Sequence, residues 1–73
     1  MKITNIKKIT NADVEYEIVT FEGMEYGEHV RLTGGKWSYF YAGMEHIIGK
    51  NTVMSYEAKY QEFLKSAREE NNG

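Results

Sequence analysis

Glu28-His29-Val30-Arg31-Leu32-Thr33-Gly34-Gly35-Lys36-Trp37-Ser38-Tyr39-Phe40-Tyr41 is the stretch that decides the fold. Two runs of strand-forming residues flank a Gly-Gly pair. A two-residue hairpin turn needs positive φ at its centre, and glycine takes that conformation at little steric cost. The pair therefore predicts a β-hairpin between strands over 28–33 and 36–42. If Gly34-Gly35 is the turn, Thr33 faces Lys36, Leu32 faces Trp37 and Val30 faces Tyr39. Cross-strand partners share one face of a sheet, so Trp37, Tyr39 and Tyr41 are expected on the face of Val30 and Leu32. Phe40 is expected on the other.

Upstream, Val14-Glu15-Tyr16-Glu17-Ile18-Val19-Thr20-Phe21 opens with apolar and acidic residues in alternation, the period of a half-buried strand. A short loop around Gly23-Met24-Glu25 would pair Ile18 with Val30, Tyr16 with Leu32 and Glu17 with Arg31. The expected inner face then holds Val14, Tyr16, Ile18, Val30, Leu32, Trp37, Tyr39 and Tyr41. The expected reverse face holds Glu15, Glu17, Val19, Phe21, His29, Arg31, Ser38, Phe40 and Ala42. Residues 2–9 carry Ile3, Ile6 and Ile9 at a spacing of three, which suits neither helix nor strand. Their β-branched content favours an edge strand that ends at the turn Thr10-Asn11-Ala12-Asp13.

Downstream the period changes. Tyr56, Tyr60, Phe63, Leu64 and Ala67 form one stripe of an amphipathic helix, with Ser55 as the expected N-cap. Segment 43–54 contains Ile47, Ile48, Val53 and Met54. It is too apolar for a free loop and is expected to hold a short fifth strand or a docked crossover. The predicted fold class is α+β: a three- to four-stranded antiparallel β-meander covered on one face by a C-terminal α-helix, in the order β-β-β-β-α. A small barrel with an appended helix is the alternative. One domain is expected over 1–70, with a frayed polar tail at 71–73.

The chain has 73 residues and no cysteine. A domain of this size buries only about 60% of its unfolded surface, and here no disulfide can compensate. The ten aromatic residues are the expected substitute, since fully burying one large apolar side chain is worth about 1.5–3 kcal/mol. The net charge is −2 at pH 7, and its distribution is uneven. Lys2, Lys7 and Lys8 stand in a first segment free of acids. Asp13, Glu15, Glu17, Glu22, Glu25 and Glu28 follow with no base between them. The N-terminus lacks the apolar run of a signal peptide, and a cytoplasmic protein with no membrane association is expected.

No motif of catalysis or cofactor binding is present. Gly34-Gly35-Lys36 lacks the spacing and the following Ser or Thr of a phosphate loop. His29 and His46, the only candidates for acid–base work near neutral pH, lie in isolated Glu-His dipeptides without metal-ligand spacing. No enzyme, catalytic residue, cofactor, metal or small-molecule substrate is therefore expected. The leading expectation is a small protein-interaction module, of the kind an accessory gene of a phage or mobile element encodes. It would bind a protein partner or a second copy as a homodimer through Glu15, Glu17, Val19, Phe21, His29, Arg31 and Phe40. One alternative is nucleic-acid binding by sheet aromatics with Arg31, Lys36 and Lys50, although the acidic segment disfavours phosphate. Another is that the acids of 13–28 imitate a row of phosphates and capture a DNA-binding protein.

Overall fold

The computed structural model describes residues 2–72, with side chains as far as Arg68. Five strands precede one helix: β1 (Ile3–Asn11), β2 (Val14–Phe21), β3 (Glu28–Thr33), β4 (Lys36–Tyr41), β5 (Met44–His46) and α1 (Lys50–Asn72). The strands pair antiparallel in chain order. The α+β meander with a C-terminal helix is thus as expected, with five strands in place of three or four. The sheet is open, with β1 and β5 at its edges, which removes the barrel alternative. The expected frayed tail at 71–73 lies beyond the described side chains.

The Gly34-Gly35 turn sets the register of β3 and β4 as its two glycines predict. Their φ values are 56° and 82°, and Leu32 faces Trp37 while Val30 faces Tyr39. Segment 43–54 divides between β5 and the start of α1. The helix begins at Lys50, where the amide of Val53 donates to the carbonyl of Gly49 at 3.1 Å. Ser55 is therefore inside the helix and is not its N-cap. The reason is that Val53 continues the apolar stripe one turn upstream. Val53, Tyr56, Tyr60 and Phe63 pack inward, whereas Leu64 is exposed.

The β2–β3 register differs from expectation by one residue. Val19 faces Val30, Ile18 faces Arg31 and Glu17 faces Leu32. A shift of one residue sends every side chain of a strand to the opposite face. The connection spans residues 22–27 and is built from two successive tight turns, a length that admits this register, and burial of Val19 and Phe21 selects it. The Met24 amide donates to the Phe21 carbonyl at 3.3 Å and the Glu28 amide to the Glu25 carbonyl at 3.0 Å. Val19 and Phe21, expected on the reverse face, are consequently in the core and almost wholly buried. Val14, Tyr16 and Ile18, expected inside, are on the reverse face.

In β1, the pairing passes from Ile3↔Phe21 to Asn5↔Thr20. Thr4 is the extra residue of a β-bulge, and its hydroxyl donates to the Thr20 carbonyl at 3.2 Å. A bulge reverses the alternation, so Ile3 and Ile6 point to the same side despite their spacing of three.

The core is Ile3, Val19, Phe21, Val30, Trp37 and Tyr56. It lies between the sheet and α1. Tyr56 stacks on Phe21 at 4.9 Å between ring centroids and tilts against Trp37 at 5.7 Å, while Tyr60 meets the Trp37 ring edge-on at 5.5 Å. Polar tips at the core margin find partners across the layers. Trp37 Nε1 donates to Glu57 Oε2 at 2.8 Å, and the Tyr60 hydroxyl donates to Glu17 Oε2 at 2.7 Å. Among the described residues no buried side-chain nitrogen or oxygen lacks a partner. No helix is long and apolar enough to cross a membrane among the described residues.

Candidate interaction surface on the open sheet face

The face of the sheet opposite α1 is covered by no described element. Register places its side chains in rows that cross the strands. Lys7, Ile18, Arg31 and Ser38 share the central row. Ile9 and Tyr16 stand in the row on one side, and Thr33 with Lys36 beside the Gly34-Gly35 turn. His29, Phe40 and Glu45 stand in the row on the other side.

Arg31 organises this face. Its guanidinium carbon lies 5.1 Å from the Tyr16 ring centroid and 4.2 Å from that of Phe40. A guanidinium near an aromatic face is attracted by the ring quadrupole, by about 0.5–1 kcal/mol at exposed sites and more when water is excluded. His29 stacks on Phe40, with centroids 5.1 Å apart and planes within 4°. Arg31 Nε donates to His29 Nε2 at 3.2 Å. That bond requires a neutral imidazole. Burial, and then the positive charge of Arg31, hold the His29 pKa below its ordinary value, which favours the neutral ring. Four planar groups on half-buried side chains thus make a ladder of three layers: Tyr16, then Arg31 with His29, which their hydrogen bond holds side by side on one side of Phe40, then Phe40 itself.

The expected interaction set is split between the two sides. His29, Arg31 and Phe40 come together in the ladder. Glu15, Glu17, Val19 and Phe21 are on the side of α1, where Val19 and Phe21 build the core and Glu17 accepts the Tyr60 hydrogen bond. Tyr16, Ile18, Ile9 and Lys7 also belong to the open face, outside that set. The length of the 22–27 connection was the available signal, because it allowed the register that buries Phe21.

Charge divides in the same way. Of the acids in 13–28, Asp13 is in the β1–β2 turn, and Glu22 and Glu25 are in the 22–27 connection. Glu15, Glu17 and Glu28 belong to the side of α1 by register. Glu28 is held there by hydrogen bonds. It accepts from the Tyr39 hydroxyl and, at 2.7 Å, from the Glu25 amide. These bonds keep the Glu28 carboxyl below its ordinary pKa, and the Tyr39 phenol is pushed up to about 12 chiefly by its bond to Glu28. The open face therefore carries Lys7, Arg31 and Lys36 against one acid, Glu45, in a chain whose net charge is −2. Lys50, grouped with Arg31 and Lys36 in the nucleic-acid alternative, opens α1 on the other side.

His29 and His46 do not converge. His46 pairs with Tyr39 and so belongs to the α1 side of β5, whereas His29 is in the ladder. Among the described residues no group of three or more His, Cys, Asp or Glu is placed to hold a metal ion. Compared with known proteins, the chain matches no family model, no curated protein and no solved structure.

Proposed function

We propose that this chain is a non-enzymatic binding module that takes an anionic macromolecule on the open face of its sheet. The observation that carries this reading is the gathering of Lys7, Arg31 and Lys36 around the ladder of Tyr16, Arg31, His29 and Phe40, with the acids of β2 turned to the other side. Half-buried aromatic and aliphatic side chains on an uncovered face are the kind of patch that marks interaction sites. A cation cluster draws oppositely charged ligands even when net charge opposes them.

The reading keeps the expected interaction module and its sheet face but exchanges the acidic rim for a basic one. A second copy is a poorer occupant, because two such faces would bring like charges together. Phosphate mimicry by residues 13–28 has little support, because those acids are spread over a turn, a connection and the α1 side, and Glu17 and Glu28 are engaged by tyrosines.

Heparin affinity chromatography tests the reading. At pH 7 and low salt the protein is expected to be retained despite its net charge of −2. Lys7→Glu and Lys36→Glu, both on the open face, should abolish retention, while Lys65→Glu on α1 should alter it little. Wild-type protein that passes straight through would sink the proposal, as would a loss of retention no greater for the sheet variants than for Lys65→Glu.

A further inference from the structure

We infer that the ligand of the open face is single-stranded nucleic acid. This rests on the reading of that face as an anion-binding surface and adds the chemistry of the ligand. Two features must be satisfied together. The first is the cation set, in which Lys7 and Arg31 share a row two strands apart, about 10 Å at the usual strand spacing, and Lys36 stands beside them. The second is the ladder of planar groups, with Arg31 between Tyr16 and Phe40 and His29 parallel to Phe40.

An acidic polypeptide without aromatic residues supplies carboxylates for the cations but no aromatic face for the ladder, whereas every nucleotide of a single strand carries both a charge and a π-face. A duplex supplies phosphates but keeps its bases stacked inside. A single strand supplies both, because its backbone carries the charge while its unstacked bases are free to lie on aromatic rings and guanidinium planes. Arg31 serves both features. With Nε–H donated to His29, the terminal N–H groups of the guanidinium remain for a phosphate or a base edge to accept.

Fluorescence anisotropy with labelled oligothymidine and oligouridine of about ten nucleotides, a length one small binding fold can cover, tests the inference. Both probes are expected to bind at low salt. The logarithm of affinity should fall against the logarithm of salt with a slope of about −2, the value for three phosphate contacts on a single strand. Phe40→Leu keeps every charge and removes one ring. It should weaken the oligonucleotide about tenfold, within the range for loss of one stacked base, and leave polyglutamate binding unchanged. Arg31→Lys should weaken the oligonucleotide while keeping the charge. Trp37 fluorescence and thermal midpoint identify any variant that has lost its fold, and a Tyr16→Leu variant then carries the same test.

The inference is overturned if both ring variants bind the oligonucleotide like wild type, if a duplex of equal length binds as well as the single strand, or if polyglutamate binds more tightly than either oligonucleotide. Heparin retention without oligonucleotide binding would overturn it and leave the anion-binding reading standing. Absence of both would remove the two together.

Discussion

The two connections that flank β3 close their hairpins by different physics. Gly34-Gly35 is a turn of two residues whose backbone conformation alone sets the pairing of β3 with β4. Residues 22–27 form two tight turns in succession, and a connection of that length is compatible with more than one register. The pairing of β2 with β3 is settled instead by side chains: Val19 against Val30, and Phe21 beneath Tyr56. One hairpin is specified locally and the other by the core. The second decides which residues the open face presents.

The largest effect expected from this difference lies in β2. Phe21→Ala should cost about 3–5 kcal/mol, the range for emptying a buried aromatic site. Its neighbour Thr20→Ala, on the opposite face, should stay near 0.5 kcal/mol or below, as surface substitutions do. Urea unfolding midpoints for the two variants check the register. Comparable losses at both positions would mean that packing does not set it.

A smaller effect is expected at the short turn. Gly35 has a φ of 82° and open space where a Cβ would stand. Gly35→Ala should therefore cost about 1–2 kcal/mol through backbone strain alone. Glu22→Ala in the longer connection should fall within about 0.5 kcal/mol. A harmless Gly35→Ala would show that the β3–β4 register, too, depends on the core.

The smallest effect is local and depends on pH. Glu28 ties the longer connection together, with one oxygen on the Glu25 amide and the other on the Tyr39 hydroxyl. Its folded pKa is lowered, so its contribution is complete above the ordinary carboxyl value and is lost as pH falls through the lowered one. Tyr39 approaches from the other end. Its pKa is raised to about 12, so its contribution is complete below the ordinary phenol value near 10 and is lost as pH rises toward 12. Protection of the Glu25 amide from hydrogen exchange, corrected for the intrinsic rate, should fall on acidification before that of amides in the β3–β4 ladder. Glu28→Gln should reproduce that loss at neutral pH. Equal protection in the two hairpins throughout would contradict the contrast drawn between them.

Much of this architecture was legible in the chain. The Gly34-Gly35 register, the covered positions of Trp37 and Tyr39, the apolar stripe of α1 and the apolar character of 43–54 all follow from short-range patterns. The candidate surface was legible only in part. His29, Arg31 and Phe40 lie on strands joined by the two-glycine turn or paired across it, so their common face could be read. Tyr16 and Ile18 could not be assigned, because β2 is apolar on both faces: Val14, Tyr16 and Ile18 on one, Val19 and Phe21 on the other. Alternation marks a strand but does not say which of two apolar faces is inside. The Ile3–Ile6 spacing was opaque for a related reason, since a bulge at Thr4 leaves no local signature in side-chain type.

By itself the sequence determined the strands β1 to β4, the helix that follows them, their order and the one pairing that a backbone constraint enforces, but not the fifth strand or where the helix begins. Only the tertiary structure decided which face of β2 meets the helix, and with it that the open face is basic and carries the ladder of Tyr16, Arg31, His29 and Phe40. The physical reason is that a two-residue turn has few permitted conformations, whereas a connection of the length of 22–27 has many. The choice among those falls to the burial of Val19 and Phe21 against Val30 and Tyr56, which lies far along the chain from the residues it sorts.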